Sequence, residues 1–215
     1  MILGHWDVRG AGQPIRNLLH YVNIPFTEVR YPSEDSWFKE AKPKLASDFP
    51  NLPYLIDEGK TITESQAILV YICLKVKRTD LLGKNLEGEI HFVQIRSFWA
   101  DLRNKFYEVG TNKNDPDVVA TLKSNVLPLF VILAKHLGEK EFVCGNLTVM
   151  DFVIAEGVEW MLIQDGDLLA GLENLKSLVK KLYSLPGVKE YQASKEIPKF
   201  FLWESYANKN LRICY

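Results

Sequence analysis

The turn Arg9-Gly10-Ala11-Gly12-Gln13 lies between a short apolar run, residues 2–6, and a helical pattern. A cysteine at such a helix mouth has its pKa lowered and becomes a redox nucleophile. None of the chain's 3 cysteines, Cys73, Cys144 and Cys214, stands there, so disulfide exchange by that route is excluded. What remains is a scaffold suited to holding a thiol compound. Three further features suit an extended peptide with carboxylate ends. Leu52-Pro53 sits at the bend before a strand, where a cis bond would expose the Leu52 N–H and C=O for pairing. Only about 5–6% of X–Pro bonds are cis, so the residues alone favour trans. Glu64-Ser65 precedes a helix. Ser65 can cap it, and the helix N-terminus offers N–H groups to a carboxylate, although a plain cap is the simpler reading. Trp37 and Lys42 bring an indole N–H and an ammonium to an irregular polar stretch, where either is also an ordinary exposed side chain.

The elements that position these residues follow from hydrophobic periodicity. Residues 2–6 and 26–31 read as strands. Ile15, Leu18, Leu19 and Val22 between them keep helical spacing, with Pro14 suited to the first turn. Pro53 opens a third strand and Thr61-Ile62-Thr63 is a fourth, followed by a helix through Ser65, Ile68, Leu69, Ile72 and Val76. After a linker at Lys77–Asn85 only helical patterns remain. Ile95 to Phe106 is one. Leu122 to Leu137 is another, ended by Gly138. Thr148 with Asp151 is a capping-box variant that opens the next, Leu175 to Leu182 follows, and Pro186 starts one more. The expected architecture is an α/β, thioredoxin-like N-terminal domain over residues 1–79 and an all-α domain over 86–215.

The 215 residues carry 26 Lys and Arg against 27 Asp and Glu, a net charge of -1. Such a balance marks neither a nucleic-acid nor a membrane-surface binder. An anionic ligand must then be held by local contacts. The cysteine spacing forms no metal or disulfide pattern, which fits a reducing compartment. No apolar run approaches the roughly 17–25 residues of a membrane helix. A cytoplasmic protein is expected.

The runs Met1-Ile2-Leu3-Gly4-His5-Trp6-Asp7-Val8-Arg9-Gly10, Asp48-Phe49-Pro50-Asn51-Leu52-Pro53-Tyr54-Leu55-Ile56-Asp57 and Ile62-Thr63-Glu64-Ser65-Gln66-Ala67-Ile68-Leu69, with Gly145–Phe152 later, resemble the cytosolic glutathione transferases and are most similar to the mu class. The resemblance spans nearly the whole chain. It implies that Trp6 lines the glutathione site and that Trp37 and Lys42 contact the glycyl carboxylate, although the segment between them is one residue longer than the mu pattern. It implies that Asn51 and Leu52 pair with the cysteinyl backbone, with Pro53 cis. Glu64 and Ser65 would hold the γ-glutamyl end, and Asp101 would reach across a dimer to its amine. Phe49 would be the aromatic key of a homodimer. Val8, Ala11, Tyr107 and Thr111 would line an electrophile pocket between the domains. The tail Phe200–Tyr206 either caps that pocket or packs as core. Glutathione is then a substrate, with no cofactor and no metal.

The chain departs from the mu pattern at His5, where a tyrosine hydroxyl would meet the glutathione sulfur. The thiol, with a reference pKa near 8.5, needs such help at neutral pH. A neutral imidazole can donate one hydrogen bond, and an imidazolium can pair with thiolate directly. His5 therefore either replaces the tyrosine, less efficiently, or is a strand histidine that does no chemistry. Thr111 stands where mu enzymes carry a second tyrosine; Tyr107, one turn earlier, either substitutes for it or is a packed surface tyrosine, the simpler reading. Glu34 stands where they carry arginine, and the loop Ala11–Arg16 is closer to other classes. The leading reading is conjugation of glutathione to hydrophobic electrophiles. The alternative is a non-catalytic ligand-binding or structural subunit.

Overall fold

The structure is a computed structural model, and residues 1–202 are described. β1 (Ile2–Trp6), β2 (Thr27–Tyr31), β3 (Tyr54–Asp57) and β4 (Lys60–Thr63) form one sheet in the order β2-β1-β3-β4. β1 runs parallel to β2, with His5 opposite Arg30, and the other two pairings are antiparallel. A parallel pair needs a crossover, and α1 (Gln13–Tyr21), with Pro14 in its first turn, supplies it. β3 and β4 are joined through Glu58 (φ 48°) and Gly59 (φ 77°), a turn whose twist matches that of the strands. α2 (Ser65–Lys75) follows directly.

Alternation along β1 sorts its side chains. Leu3 and Leu55 are fully buried on the face that packs against Ile15, Leu18, Ile68 and Ile72 of α1 and α2. The opposite face carries a smaller aromatic core of Tyr31, Trp37 and Tyr54, with Trp6 and Leu52 packed against it. Gly4 permits this arrangement. A Cβ there would lie 2.1 Å from the Tyr54 ring, which rests on the strand and hydrogen-bonds Tyr31 hydroxyl to hydroxyl at 2.8 Å.

The helical part comprises α3 (Leu86–Thr111), α4 (Val118–Asn125), α5 (Leu127–Leu137), α6 (Val149–Gln164), α7 (Glu173–Tyr183) and α8 (Val188–Gln192). α6 is buried along almost its whole length and forms the axis of the domain. Its start is held as expected. Asp151 accepts from the Thr148 N–H (2.8 Å) and hydroxyl (3.0 Å), and from the Val143 N–H (2.9 Å). Burial pushes this carboxyl up to about 6 against those three donors, so it remains ionised at neutral pH. One helix expected from periodicity is two. Leu122 to Leu137 breaks between α4 and α5 with a bend of 47°. Pro128 is the reason, since it lacks an N–H and its ring clashes with the preceding turn. Gly138 ends α5 at φ 54°, in the left-handed region that glycine tolerates. No single helix among the described residues is long and apolar enough to cross a membrane.

Candidate functional site

His5 faces α1, on the same side of β1 as Leu3, and is only 4% exposed. Its ring lies over Gly12, where a Cβ would come within 2.9 Å of Cγ. Nδ1 is 3.1 Å from the Trp6 carbonyl oxygen. A carbonyl can only accept, so Nδ1 carries the proton of the neutral ring and Nε2 the lone pair. Burial, and then the Arg16 guanidinium, push the imidazole down to about 3. The ring is therefore neutral, and direct imidazolium–thiolate pairing is unavailable to it near pH 7. The His5 side chain is not among those that line the cleft between the domains.

Trp6, on the opposite face of β1, is half-buried with its ring 6.0 Å from Phe38. Trp37 is 2% exposed and stacks on Tyr54, so its indole is part of the outer core instead of an open polar stretch. The cause is local. Ser36–Ala41 is a single π-helical segment, the conformation that absorbs one extra residue in a helix. The segment turns the indole inward and leaves Phe38 44% exposed, with the Lys42 ammonium 5.4 Å from its centroid.

Asn51, Leu52, Glu64 and Ser65 come together where β3 begins and α2 starts. The Leu52–Pro53 bond is cis, as the resemblance implied and against the reading from base rates. The Leu52 N–H donates to Asn51 Oδ1 (2.9 Å), and Asn51 Nδ2 donates to Glu64 Oε1 (3.3 Å). Ser65 is not the cap. It is the first helical residue, and Glu64 occupies the cap position with no side-chain capping bond. Glu64 holds φ 68°, a strained setting for a non-glycine and one that recurs at ligand-binding sites. The result is a helix N-terminus whose N–H groups no side chain of its own caps.

Ser65 and Gln66 also line a cleft of about 700 Å³ of empty space between the sheet domain and the helices. Ala11 and Tyr107 line it, with Trp99, Arg103 and Phe201. Trp99 reaches it across Gly157, where a Cβ would meet the indole at 2.2 Å. Val8 and Thr111 do not line it. Val8 is buried at 5% exposure, and the Thr111 hydroxyl is turned back onto the Tyr107 carbonyl (2.5 Å). Phe201 and Leu202 belong to the wall, and the remainder of the expected tail cap lies outside the described residues. Asp101 is exposed on α3, and Phe49 is exposed at 73%.

A group that sequence reasoning missed closes the back of the cleft. Arg9, 1% exposed, donates to both oxygens of Glu156 (2.9 and 2.7 Å), to Glu159 (2.5 Å) and to the Tyr183 hydroxyl (3.1 Å). The Phe201 ring lies 4.3 Å from the guanidinium carbon. Burial pushes the Glu156 carboxyl up, opposed by the bidentate guanidinium, which is itself held firmly charged. The partners are about 150 positions apart, so no local pattern announces the cluster.

Residues 1–73 match the family description "Glutathione S-transferase, N-terminal domain", and residues 100–195 match "Glutathione S-transferase, C-terminal domain". The chain belongs to the glutathione S-transferase family. It is 35% identical over 212 residues to a glutathione S-transferase of Dermatophagoides pteronyssinus, covering 93% of each chain. It is 29% identical to glutathione S-transferase Mu 1 of Homo sapiens, over 97% of this chain and 99% of the relative. The solved glutathione S-transferase Blo t 8 superposes with a TM-score of 0.82 at 28% identity, covering 100% of both chains. A rat hPGDS complexed with a quinoline superposes at 0.80, with 27% identity, over 94% of this chain and 98% of that one. The thioredoxin-like sheet domain and the helical domain of this chain are thus those of a family of enzymes that includes its mu-class relatives.

Proposed function

We propose that the chain conjugates reduced glutathione to hydrophobic electrophiles, as a cytoplasmic homodimer. The observation that carries this reading is the juxtaposition of the uncapped start of α2 at strained Glu64 with the Asn51–Leu52–Pro53 turn, next to the largely apolar cleft. The γ-glutamyl carboxylate binds the α2 N–H groups and Ser65, as anions do at helix N-termini. The cysteinyl backbone replaces the Asn51 side chain on the Leu52 N–H. Lys42, Trp6 and the edge of Trp37 receive the glycyl end, and Asp101 reaches the γ-glutamyl amine of the partner subunit's site. Exposed Phe49, together with Leu86 and Ile90 on α3 at 75% and 51% exposure, supplies apolar surface for the dimer.

His5 holds the position nearest the thiol. As a neutral ring whose one N–H is held by the Trp6 carbonyl, it has no free donor for the sulfur, so thiol ionisation is helped less than by a phenol and the conjugation rate rises with pH through the thiol's own titration. Proximity of the two reactants supplies most of the remaining acceleration. The burial of His5 and its absence from the cleft wall favour the second reading, a glutathione-binding protein without conjugating activity. Retention on immobilised glutathione, the ultraviolet absorbance of bound thiolate and turnover of an aryl halide separate the two. The enzyme is retained and turns over, and His5→Tyr raises both absorbance and rate by roughly tenfold or more, the scale of acid–base assistance. If His5→Ala changes neither, His5 has no catalytic part. Elution at twice 24.7 kDa supports the dimer.

A further inference from the structure

After α8 the chain turns back onto the sheet domain as an irregular strap, residues 196–202. Arg30 donates to the Glu196 carbonyl, and the Arg9 N–H donates to the Phe200 carbonyl (2.7 Å). The Phe201 ring covers the Arg9 guanidinium, and Phe201 and Leu202 belong to the cleft wall. At that guanidinium, two carboxylates of α6 converge on one nitrogen. Arg9 Nη2 donates both to Glu156 Oε2 (2.7 Å) and to Glu159 Oε2 (2.5 Å), and Tyr183 of α7 donates its hydroxyl to the same Glu159 oxygen. Glu156 is buried and also lines the cleft. The groups that act on its charge are Arg9, Glu159 and Tyr183 and, from α1, Arg16. Arg16 is itself paired with Glu28, His5 beside it stays neutral, and Arg103 of α3 lines the same cleft.

We propose that Glu156 and Glu159 form a proton-operated latch on this strap: the strap closes over the cleft while Glu156 carries a proton, and lifts when that proton leaves for solvent. A guanidinium only donates, and two carboxylates so close together favour holding one proton between them. Protonated Glu156 keeps one oxygen for Arg9 and turns its O–H toward Glu159, which leaves a single carboxylate charge opposite the guanidinium. Once both carboxylates are ionised, the second buried charge calls for hydration, and lifting Phe201 admits the water. Burial raises the Glu156 carboxyl, and the Glu159 charge adds to this against Arg9 and Arg16. The closed state therefore takes up the proton more readily than the hydrated carboxylate of the open state. Closure is fully favoured below the ordinary carboxylate value of about 4.3 and is lost progressively as pH rises above it. The latch works whatever molecule enters the cleft, so it stands apart from the conjugation reading.

Hydrogen exchange of the full chain, read by NMR at the Arg9 amide that bonds the Phe200 carbonyl, reports whether the strap is closed. Protection, corrected for the intrinsic rate at each pH, is compared from pH 5 to pH 8 in wild type, Glu156→Gln and Glu159→Gln. In wild type it should fall as pH rises, by about tenfold or more over the range, since each unit of difference between the two states is worth about tenfold. Glu156→Gln copies the protonated state, accepting from Arg9 and donating to Glu159, and should stay protected at every pH. Glu159→Gln removes the charge that favours the proton, so the fall should shrink. Wild-type protection that does not fall overturns the proposal. So does Glu156→Gln that falls as wild type does, or that is unprotected throughout. Asp151 at the start of α6, pushed up to about 6, titrates in the same range, but it is intact in both variants, and a fall that it causes survives in both. If Glu156→Gln does not fold, Glu159→Gln decides alone: a smaller fall supports the latch, and an undiminished fall overturns it.

Discussion

At the scale of single residues, His5 shows how an environment redefines a side chain. Imidazole is the side chain most often used as a switch near neutral pH, yet this one is walled in by Gly12, the β1–α1 loop and the Arg16 charge. Its folded pKa, about 3, lies below the unfolded value of 6.5. The unfolded chain therefore binds a proton that the folded chain refuses. The associated stability is fully present above pH 6.5 and is lost as pH falls from there toward 3, by about 2 kcal/mol between pH 6.5 and 5. The Tm of the wild-type chain should drop more between pH 7 and 5 than that of His5→Tyr, which has no titrating group at that site. Parallel curves would mean that His5 is protonated in the folded state.

At the scale of elements, two short segments show how local geometry is held. The π-helical turn at Ser36–Ala41 turns Trp37 into the aromatic core and Phe38 outward. The start of α6 depends on a single carboxylate that satisfies two backbone N–H groups and a hydroxyl in a buried setting. Removing it strands the Val143 and Thr148 N–H groups, each at a cost of about 1–3 kcal/mol. Asp151→Ala should therefore lose about 2–5 kcal/mol in urea unfolding, a large share of the stability of any domain. A loss under about 1 kcal/mol, the scale of an exposed cap, would show that water replaces the carboxylate.

At the scale of the whole molecule, Arg9 ties the β1–α1 loop to α6 and α7 through Glu156, Glu159 and Tyr183, with Phe201 against it. The cluster ties the sheet domain to α6, which carries the cleft-lining Glu156, Gly157 and Trp160. Arg9→Leu leaves two carboxylates close together without their cation. It should cost about 3–5 kcal/mol, the range for a broken buried pair, and weaken electrophile binding more than glutathione binding. Arg9→Leu combined with Glu156→Leu should be closer to wild type in Tm than the single variant. If the double is no better, the pair is not what holds the domains.

Much of this was legible in the chain itself. The apolar run at residues 2–6, the i, i+4 spacing of Ile15 and Leu19, the Thr148–Asp151 box and Gly138 determine strands, helices and their ends, because each depends on neighbours within one or two turns. The motif around Asn51-Leu52-Pro53 and Glu64-Ser65 marked, through its resemblance to the family, the corner proposed to bind glutathione. Only the tertiary structure decided what those residues face. It turned Trp37 inward, withdrew Val8 and Thr111 from the cleft, kept His5 neutral, and brought Arg9 within reach of Glu156 and Arg103 into the cleft wall. Burial, charge pairing and cavity shape depend on residues far apart in sequence, and these become neighbours only when the two domains close on each other.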